Sequence, residues 1–165
     1  MLHIETLGQG PDVVFLHGWS LHGGIWQRVA TALADRFTCH LVDLPGHGAS
    51  RTPAVADLAH VADSVADAFP LPVAVVGWSL GGLVAMQWAL QRPEAVRALA
   101  LTATSPCFVR QPDWPHAQPA GQIAAVADSL GSDFEATLNR FLALQLLGAS
   151  DARATVIAVR DSLFA

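Results

Sequence analysis

The chain has 165 residues, a formal net charge of −5 and a pI near 5.7. This length predicts one domain with an ordinary core, and the acidic balance argues against nucleic-acid and anionic-membrane partners, which require concentrated positive charge. Two distant cysteines, with no basic and apolar leader before them, predict reduced thiols and a cytoplasmic protein, which we expect to be a monomer.

Short apolar runs alternate with helical patterns over the first hundred residues. A weak edge strand comes first, and the later strands carry consecutive apolar residues, which is typical of strands covered on both faces. The strands are predicted at residues 2–7, 13–16, 39–42, 73–76 and 98–101, and the helices at 26–34, 56–69 and 83–91. This alternation predicts an α/β fold, a mostly parallel sheet with flanking helices.

Residues 68–91 contain no charge, which raises the question of a membrane span. Prolines and glycines interrupt the run at positions 70, 72, 77, 81 and 82. A helix facing lipid would not tolerate these interruptions cheaply, so the segment is interpreted as a buried central strand, a turn and a helix.

The composition changes after Leu101, where residues 105–119 are rich in proline. Helical patterns return near Gln122 and over residues 133–147, where Ser132 or Asp133 could cap the helix start. We expect a core over residues 1–107 and a helical cap segment over 108–165. A plain continuation of the α/β core is the alternative, but no run typical of a strand follows.

The stretch VAVVGWSLGG places Ser79 between Gly77 and Gly81, after a buried strand and before a helix. This is the context of the G-x-S-x-G nucleophile elbow, in which a strained turn exposes the serine hydroxyl. The motif alone is common, and a serine in an ordinary tight turn is the alternative. The elbow would point the Leu80 N–H toward an oxyanion from the helix N-terminus.

A second oxyanion donor is expected from the loop of VVFLHGWS, and the Trp19 N–H is the candidate. His17 in this loop could be a general base, although a histidine beside a glycine here more often supports the loop by hydrogen bonds. In LVDLPGHGAS, Asp43 and His47 could be a catalytic acid and base, but a sharp loop ordered by Asp43 is favoured. Histidine and acid spacings match no metal motif and no phosphate-binding loop is present, so we expect neither metal nor cofactor.

The motifs HGW, DLPGHGAS and GWSLGG, in this order, resemble the α/β-hydrolase superfamily. The stretches LVDLPGHGAS, VGWSLGGLVA, SPCF with DWP, and DFEATLNRFLALQ are similar to the pimeloyl-acyl-carrier-protein methyl ester esterases of biotin synthesis. The resemblance extends over residues 13–153. It implies a serine esterase with Ser79 as the nucleophile and with Trp19 and Leu80 as oxyanion donors that also wall the acyl site.

The resemblance also implies roles in the cap. FLALQ would line the substrate channel, and basic residues would face an acidic acyl-carrier protein, the expected partner. By this resemblance the channel residues would be Phe141, Leu142, Ala143, Leu144 and Gln145, and the carrier-binding residues would be Arg140 and Arg153. Ala136 occupies another of the family's basic positions, so part of that patch is missing. For FLALQ, an apolar helix face packed on the core is a compatible interpretation.

The family places its triad acid and histidine after two further strands, in the order Ser, Asp, His. After Ser79 the chain holds a single histidine, His116, in a proline-rich stretch. We therefore expect a truncated chain with little activity. The open alternatives are another small ester, a thioester or a carbon-carbon bond as substrate, or a non-catalytic fragment that binds acyl groups or carrier protein.

Overall fold

A computed structural model describes residues 1–54 and 57–145. The chain divides into two compact units, Met1–Pro106 and a second unit that begins at Cys107. None of the described helices is long and apolar enough to cross a membrane.

The first unit is a sheet with helices. Its strands are β1 (His3–Gly8), β2 (Asp12–Leu16), β3 (Thr38–Asp43), β4 (Val73–Trp78) and β5 (Val96–Thr102), and its helices are α1 (Gln27–Leu33), α2 (Leu58–Ala66) and α3 (Leu80–Gln91). The strand order is β1-β3-β2-β4-β5, with β1 antiparallel to β3 and the other pairs parallel. The predicted mostly parallel α/β sheet, with a first strand at its edge, is confirmed.

Strand β2 is apolar at consecutive positions because both of its faces are covered. Val14 and Leu16 pack in one cluster with residues of α2 and α3, while Val13 and Phe15 pack in a second cluster with Ala30 of α1. Successive side chains of a strand point to opposite faces, so covering both faces requires apolar residues at consecutive positions. This central strand ends at Leu16, directly before the loop that carries His17, Gly18 and Trp19.

Strand β5 departs from the expectation that residues 98–101 are covered on both faces. Leu99 is 38% exposed and Leu101 is 43% exposed, so that expectation is wrong. Among the described residues, β5 pairs with β4 on one side and contacts α3. A consecutive apolar run therefore identified the strand but not how much of it is covered.

The second unit begins with a loop that closes on itself through bridges between Val109 and Gln118 and between Gln111 and Trp114. Two helices follow, α4 (Ala120–Ser132) and α5 (Phe134–Gln145), and they contact each other. Asp133 caps α5, because its Oδ1 accepts the Ala136 N–H at 3.1 Å. This confirms the predicted cap; the last two residues of the predicted helix, 146–147, lie outside the described residues.

Candidate active site

Ser79 lies at the junction between β4 and α3 with φ 53° and ψ −115°. A non-glycine residue with positive φ is uncommon and carries backbone strain, so the predicted strained conformation is confirmed. Although Ser79 occupies the N-cap position of α3, its side chain makes no capping hydrogen bond. The Ser79 hydroxyl therefore does not accept a hydrogen bond from the first N–H groups of α3.

The glycines around Ser79 allow strand and helix to approach each other closely. A Cβ on Gly81 would collide with the Leu16 carbonyl oxygen, and one on Gly77 would lie 2.6 Å from the Gly81 oxygen. Real Cβ atoms do not approach backbone this closely, so these positions require glycine. The same contact at Gly81 brings the first turn of α3 against the end of β2, next to the loop that carries Trp19.

Both predicted oxyanion donors belong to segments that lie beside Ser79. A Cβ built on Gly18 would lie 3.5 Å from the Ser79 Cβ and 3.4 Å from Cε3 of Trp78, so the Gly18–Trp19 loop adjoins Ser79. Leu80 is the first residue of α3, and the first N–H groups of a helix have no acceptor within it. The convergence of the Trp19 and Leu80 N–H groups on one oxyanion stays a prediction.

His17 is fully buried and supports the loop, as favoured from the sequence. Its Nδ1 donates to the Gly18 carbonyl at 2.7 Å, and its Nε2 accepts the Leu44 N–H at 3.0 Å. Because a backbone N–H can only donate, Nε2 carries no proton and Nδ1 does. Burial lowers the pKa of His17 from 6.5 to about 4. With both ring nitrogens engaged, His17 has no free lone pair for the Ser79 proton.

Asp43 is also buried and orders the loop that follows β3. Its carboxylate accepts the Gly23 N–H at 2.6 Å and the Ala49 N–H at 2.8 Å, and it contacts Nδ1 of His3 at 3.0 Å. These bonds connect β1 and the segment at Gly23 to the loop after β3. The favoured interpretation of Asp43, a residue that orders this loop, is therefore confirmed.

His47 has its Nδ1 3.0 Å from the Pro45 carbonyl oxygen, and its ring lies 5.2 Å from that of His17. No hydrogen bond joins the Ser79 hydroxyl to a histidine in the part of the chain that the structure describes. The described site therefore contains a strained strand-to-helix turn at Ser79 and an adjoining loop, without a histidine bonded to the serine hydroxyl.

The remaining predicted site residues lie in the second unit. Arg140 is exposed, Leu142 is buried, and Ala143 and Leu144 are exposed on α5. Phe141 and Gln145 belong to the same helix, and Arg153 lies outside the described residues. Their channel and carrier-binding roles stay predictions. The sequence analysis did not select Thr102 and Thr104, which form hydrogen bonds with the Ser79 backbone. The available signal was the pair of threonines at the end of the neighbouring strand.

Comparison with solved structures supports the fold. An esterase from Exiguobacterium antarcticum superposes with a TM-score of 0.81 at 24% identity, covering 86% of this chain and 56% of that one. A hydrolase from Pseudomonas aeruginosa superposes with a TM-score of 0.78 at 26% identity, covering 99% of this chain and 63% of that one.

Sequence relatives extend beyond this chain. A protein of Chromobacterium violaceum named pimeloyl-[acyl-carrier protein] methyl ester esterase is 61% identical over 163 residues, which are 99% of this chain and 64% of that protein. A protein of the same name from Nitrosomonas europaea is 47% identical, covering 98% of this chain and 64% of its own length. The chain thus spans less than two thirds of these relatives. A family model described as the alpha/beta hydrolase fold matches residues 11–149, and the chain therefore belongs to the α/β-hydrolase family.

Proposed function

We propose that the protein is a serine carboxylesterase that hydrolyses the methyl ester of pimeloyl-acyl-carrier protein in the cytoplasm during biotin synthesis. The observation that carries the proposal is the strained Ser79 elbow, whose hydroxyl is not used to cap α3. The substrate assignment is supported by the names of the relatives, of which the first is 61% identical.

In the proposed reaction, the Ser79 oxygen attacks the ester carbonyl carbon and a base removes its proton. The resulting oxyanion accepts hydrogen bonds from the Leu80 and Trp19 N–H groups, at the N-terminus of α3 and in the loop after β2. Collapse of this intermediate breaks the bond to the methoxy oxygen, which takes the proton from the base and leaves as methanol, while the acyl group stays on Ser79. A water molecule that loses its proton to the same base then attacks the acyl group and releases the free acid and the serine hydroxyl. No metal and no cofactor is needed for these steps.

The carrier protein is the proposed macromolecular partner. Arg140 is exposed on α5, where it is accessible to an acidic surface, and Arg153 is assigned the same role from sequence similarity. The residues FLALQ, 141–145, are proposed to contact the acyl chain. Attraction between basic and acidic surfaces mainly raises the rate of association. We therefore expect substitution of Arg140 to change KM for the carrier-bound ester.

The test uses the protein as its gene encodes it and measures methanol release from the methyl ester of pimeloyl-acyl-carrier protein. Ser79→Ala should reduce turnover at least about 10³-fold, because it removes the nucleophile itself. Ser64→Ala is the matched control, since its hydroxyl only donates to the His60 carbonyl on α2. Unchanged turnover in Ser79→Ala would overturn the proposal, while turnover limited to small free esters would overturn the carrier-bound substrate alone.

A non-catalytic acyl-binding or carrier-binding fragment is the second candidate. It is favoured by one observation: within the described residues no histidine is bonded to Ser79. Binding of pimeloyl-acyl-carrier protein without any Ser79-dependent methanol release would select this candidate over the esterase.

A further inference from the structure

The residues that follow β5 lie beside the Ser79 backbone. Trp78 of β4 is in register with Thr102 of β5, so Ser79 and Ala103 are the next residues at the ends of two adjacent strands. Both have left-handed backbone conformations, with φ 53° at Ser79 and φ 46° at Ala103. Such conformations persist in non-glycine residues only where the surroundings hold them, and they concentrate at functional sites.

Hydrogen bonds from this segment hold both peptide groups of Ser79. The Ser79 N–H donates to the Thr102 carbonyl at 3.1 Å, and the Thr104 hydroxyl donates to the Ser79 carbonyl at 2.8 Å. The same carbonyl accepts the N–H groups of Gly82 and Leu83 within the first turn of α3, at 2.9 and 3.2 Å. Thr104 therefore supplies a side-chain donor from outside the helix.

Thr104 can approach the Ser79 carbonyl because the residue of α3 beside it, Gly82, has no side chain. A Cβ on Gly82 would lie 2.6 Å from Cβ, Cγ2 and Oγ1 of Thr104. Since real Cβ atoms do not approach other atoms this closely, any larger residue at position 82 would displace Thr104. Gly82 thus makes the space in which the Thr104 hydroxyl reaches the Ser79 carbonyl.

The planarity of the peptide bond links this carbonyl to the oxyanion donor. The Ser79 C=O and the Leu80 N–H belong to one trans peptide group, so they lie in one plane and point in opposite directions. A bond that fixes the Ser79 carbonyl also fixes the direction of the Leu80 N–H. We propose that Thr104 is a positioning residue that aims the Leu80 N–H at the oxyanion through its hydrogen bond to the Ser79 carbonyl.

This inference rests on the proposed function, in which Leu80 is an oxyanion donor, and it predicts a loss in kcat without a change in KM. Two variants separate the hydrogen bond from packing. Thr104→Val keeps the shape and removes the hydroxyl, whereas Thr104→Ser keeps the hydroxyl and removes the methyl group. Misaimed catalytic groups cost up to about 100-fold, so we expect kcat to fall roughly 10- to 100-fold in T104V and less than about threefold in T104S.

The experiment measures ester hydrolysis by the gene-encoded protein and inhibition by an alkyl trifluoromethyl ketone, whose adduct on a serine carries an oxyanion. The inhibition constant of T104V should rise by the same factor as kcat falls. Wild-type kcat in T104V, or an equal loss in T104S and T104V, would overturn the positioning role while leaving Ser79 as the nucleophile. Full hydrolysis by Ser79→Ala would instead overturn the proposed function, so the two failures are distinguishable.

Discussion

At the scale of single residues, His17 shows how burial decides the role of a titratable group. The ring combines full burial with two hydrogen bonds to backbone, one donated by Nδ1 and one accepted by Nε2. Protonation would force Nε2 against the Leu44 N–H, replacing a hydrogen bond by contact between two donors. His47 and His22 nearby also disfavour a positive charge, while Asp43 favours one. The neutral ring is thus a structural link between the loops that follow β2 and β3.

The lowered pKa of His17 predicts a specific acid sensitivity. Its pKa falls from 6.5 to about 4 in the folded state, so the unfolded chain binds the proton first as the pH drops. Stability from this group is complete above pH 6.5 and decreases down to pH 4, where the loss levels off. A pKa difference of one between the folded and unfolded chains corresponds to about 1.36 kcal/mol of unfolding free energy. We therefore expect His17 to cost about 2 to 3 kcal/mol of unfolding free energy between pH 7.5 and 4.5.

Urea denaturation at the two pH values checks this prediction. Carboxylates and other histidines titrate over the same range, so the relevant quantity is the difference from His17→Gln, which cannot titrate. The wild type should lose about 2 to 3 kcal/mol more unfolding free energy than the variant. Equal losses would show that His17 titrates alike in the folded and unfolded chains.

At the scale of elements, the elbow is the feature that the sequence predicted best. The glycines at 77 and 81 indicated a close approach of strand and helix, and the structure places their Cα atoms against backbone, where a side chain does not fit. The exposure of β5 could not be predicted, because its consecutive apolar residues are the pattern of a strand covered on both faces, whereas actual coverage depends on which elements pack against the strand. Thr104 was missed because its role depends on register with β4 and on the space at Gly82, which only the assembled sheet shows.

Substitution of Gly81 tests the packing of this element. Gly81→Ala should destabilise the protein by about 1 to 3 kcal/mol, because the added Cβ collides with the Leu16 carbonyl oxygen at the end of β2. Gly121→Ala in α4 is the matched control, since nothing lies within 4 Å of its added Cβ. It should be neutral or stabilise the helix by up to about 1 kcal/mol. Thermal or urea unfolding followed by circular dichroism measures both, and equal stability of the two variants would contradict the close approach.

Reversing the charge of Arg140 on helix α5 tests the proposed binding of the carrier protein. Arg140→Glu reverses an exposed charge and should raise KM for the carrier-bound ester by about 2- to 10-fold, as expected for one surface pair. Hydrolysis of a small free ester should not change. Arg28→Glu, an exposed position on α1, provides the same charge change elsewhere. If both variants raise KM equally, net charge rather than a site on α5 explains the effect.

At the scale of the whole molecule, the contacts of the histidines bear on whether this chain holds a base for Ser79. Five histidines have hydrogen-bond partners that tie them to structural contacts: His3, His17, His22, His40 and His47. His60 is exposed on α2, and His116 belongs to the second unit. The first relatives that match this chain are longer, and the chain covers 64% of each of the two compared above. The proposal that Ser79 is a nucleophile therefore raises the question of whether the base that activates it belongs to the additional length of the relatives.

A parallel experiment on chain and relative answers it. The 165 residues as an isolated polypeptide should hydrolyse a short ester slowly, because a serine hydroxyl is a weak nucleophile and a positioned base is worth about 10² to 10⁴ in rate. The full-length Chromobacterium violaceum relative is the positive control, and its own matching 163 residues should lose activity to the same extent. Steady turnover by the 165 residues that both Ser79→Ala and His17→Ala abolish would contradict this expectation. It would require His17 to leave the Leu44 N–H and accept the Ser79 proton, so its structural role would be wrong as well.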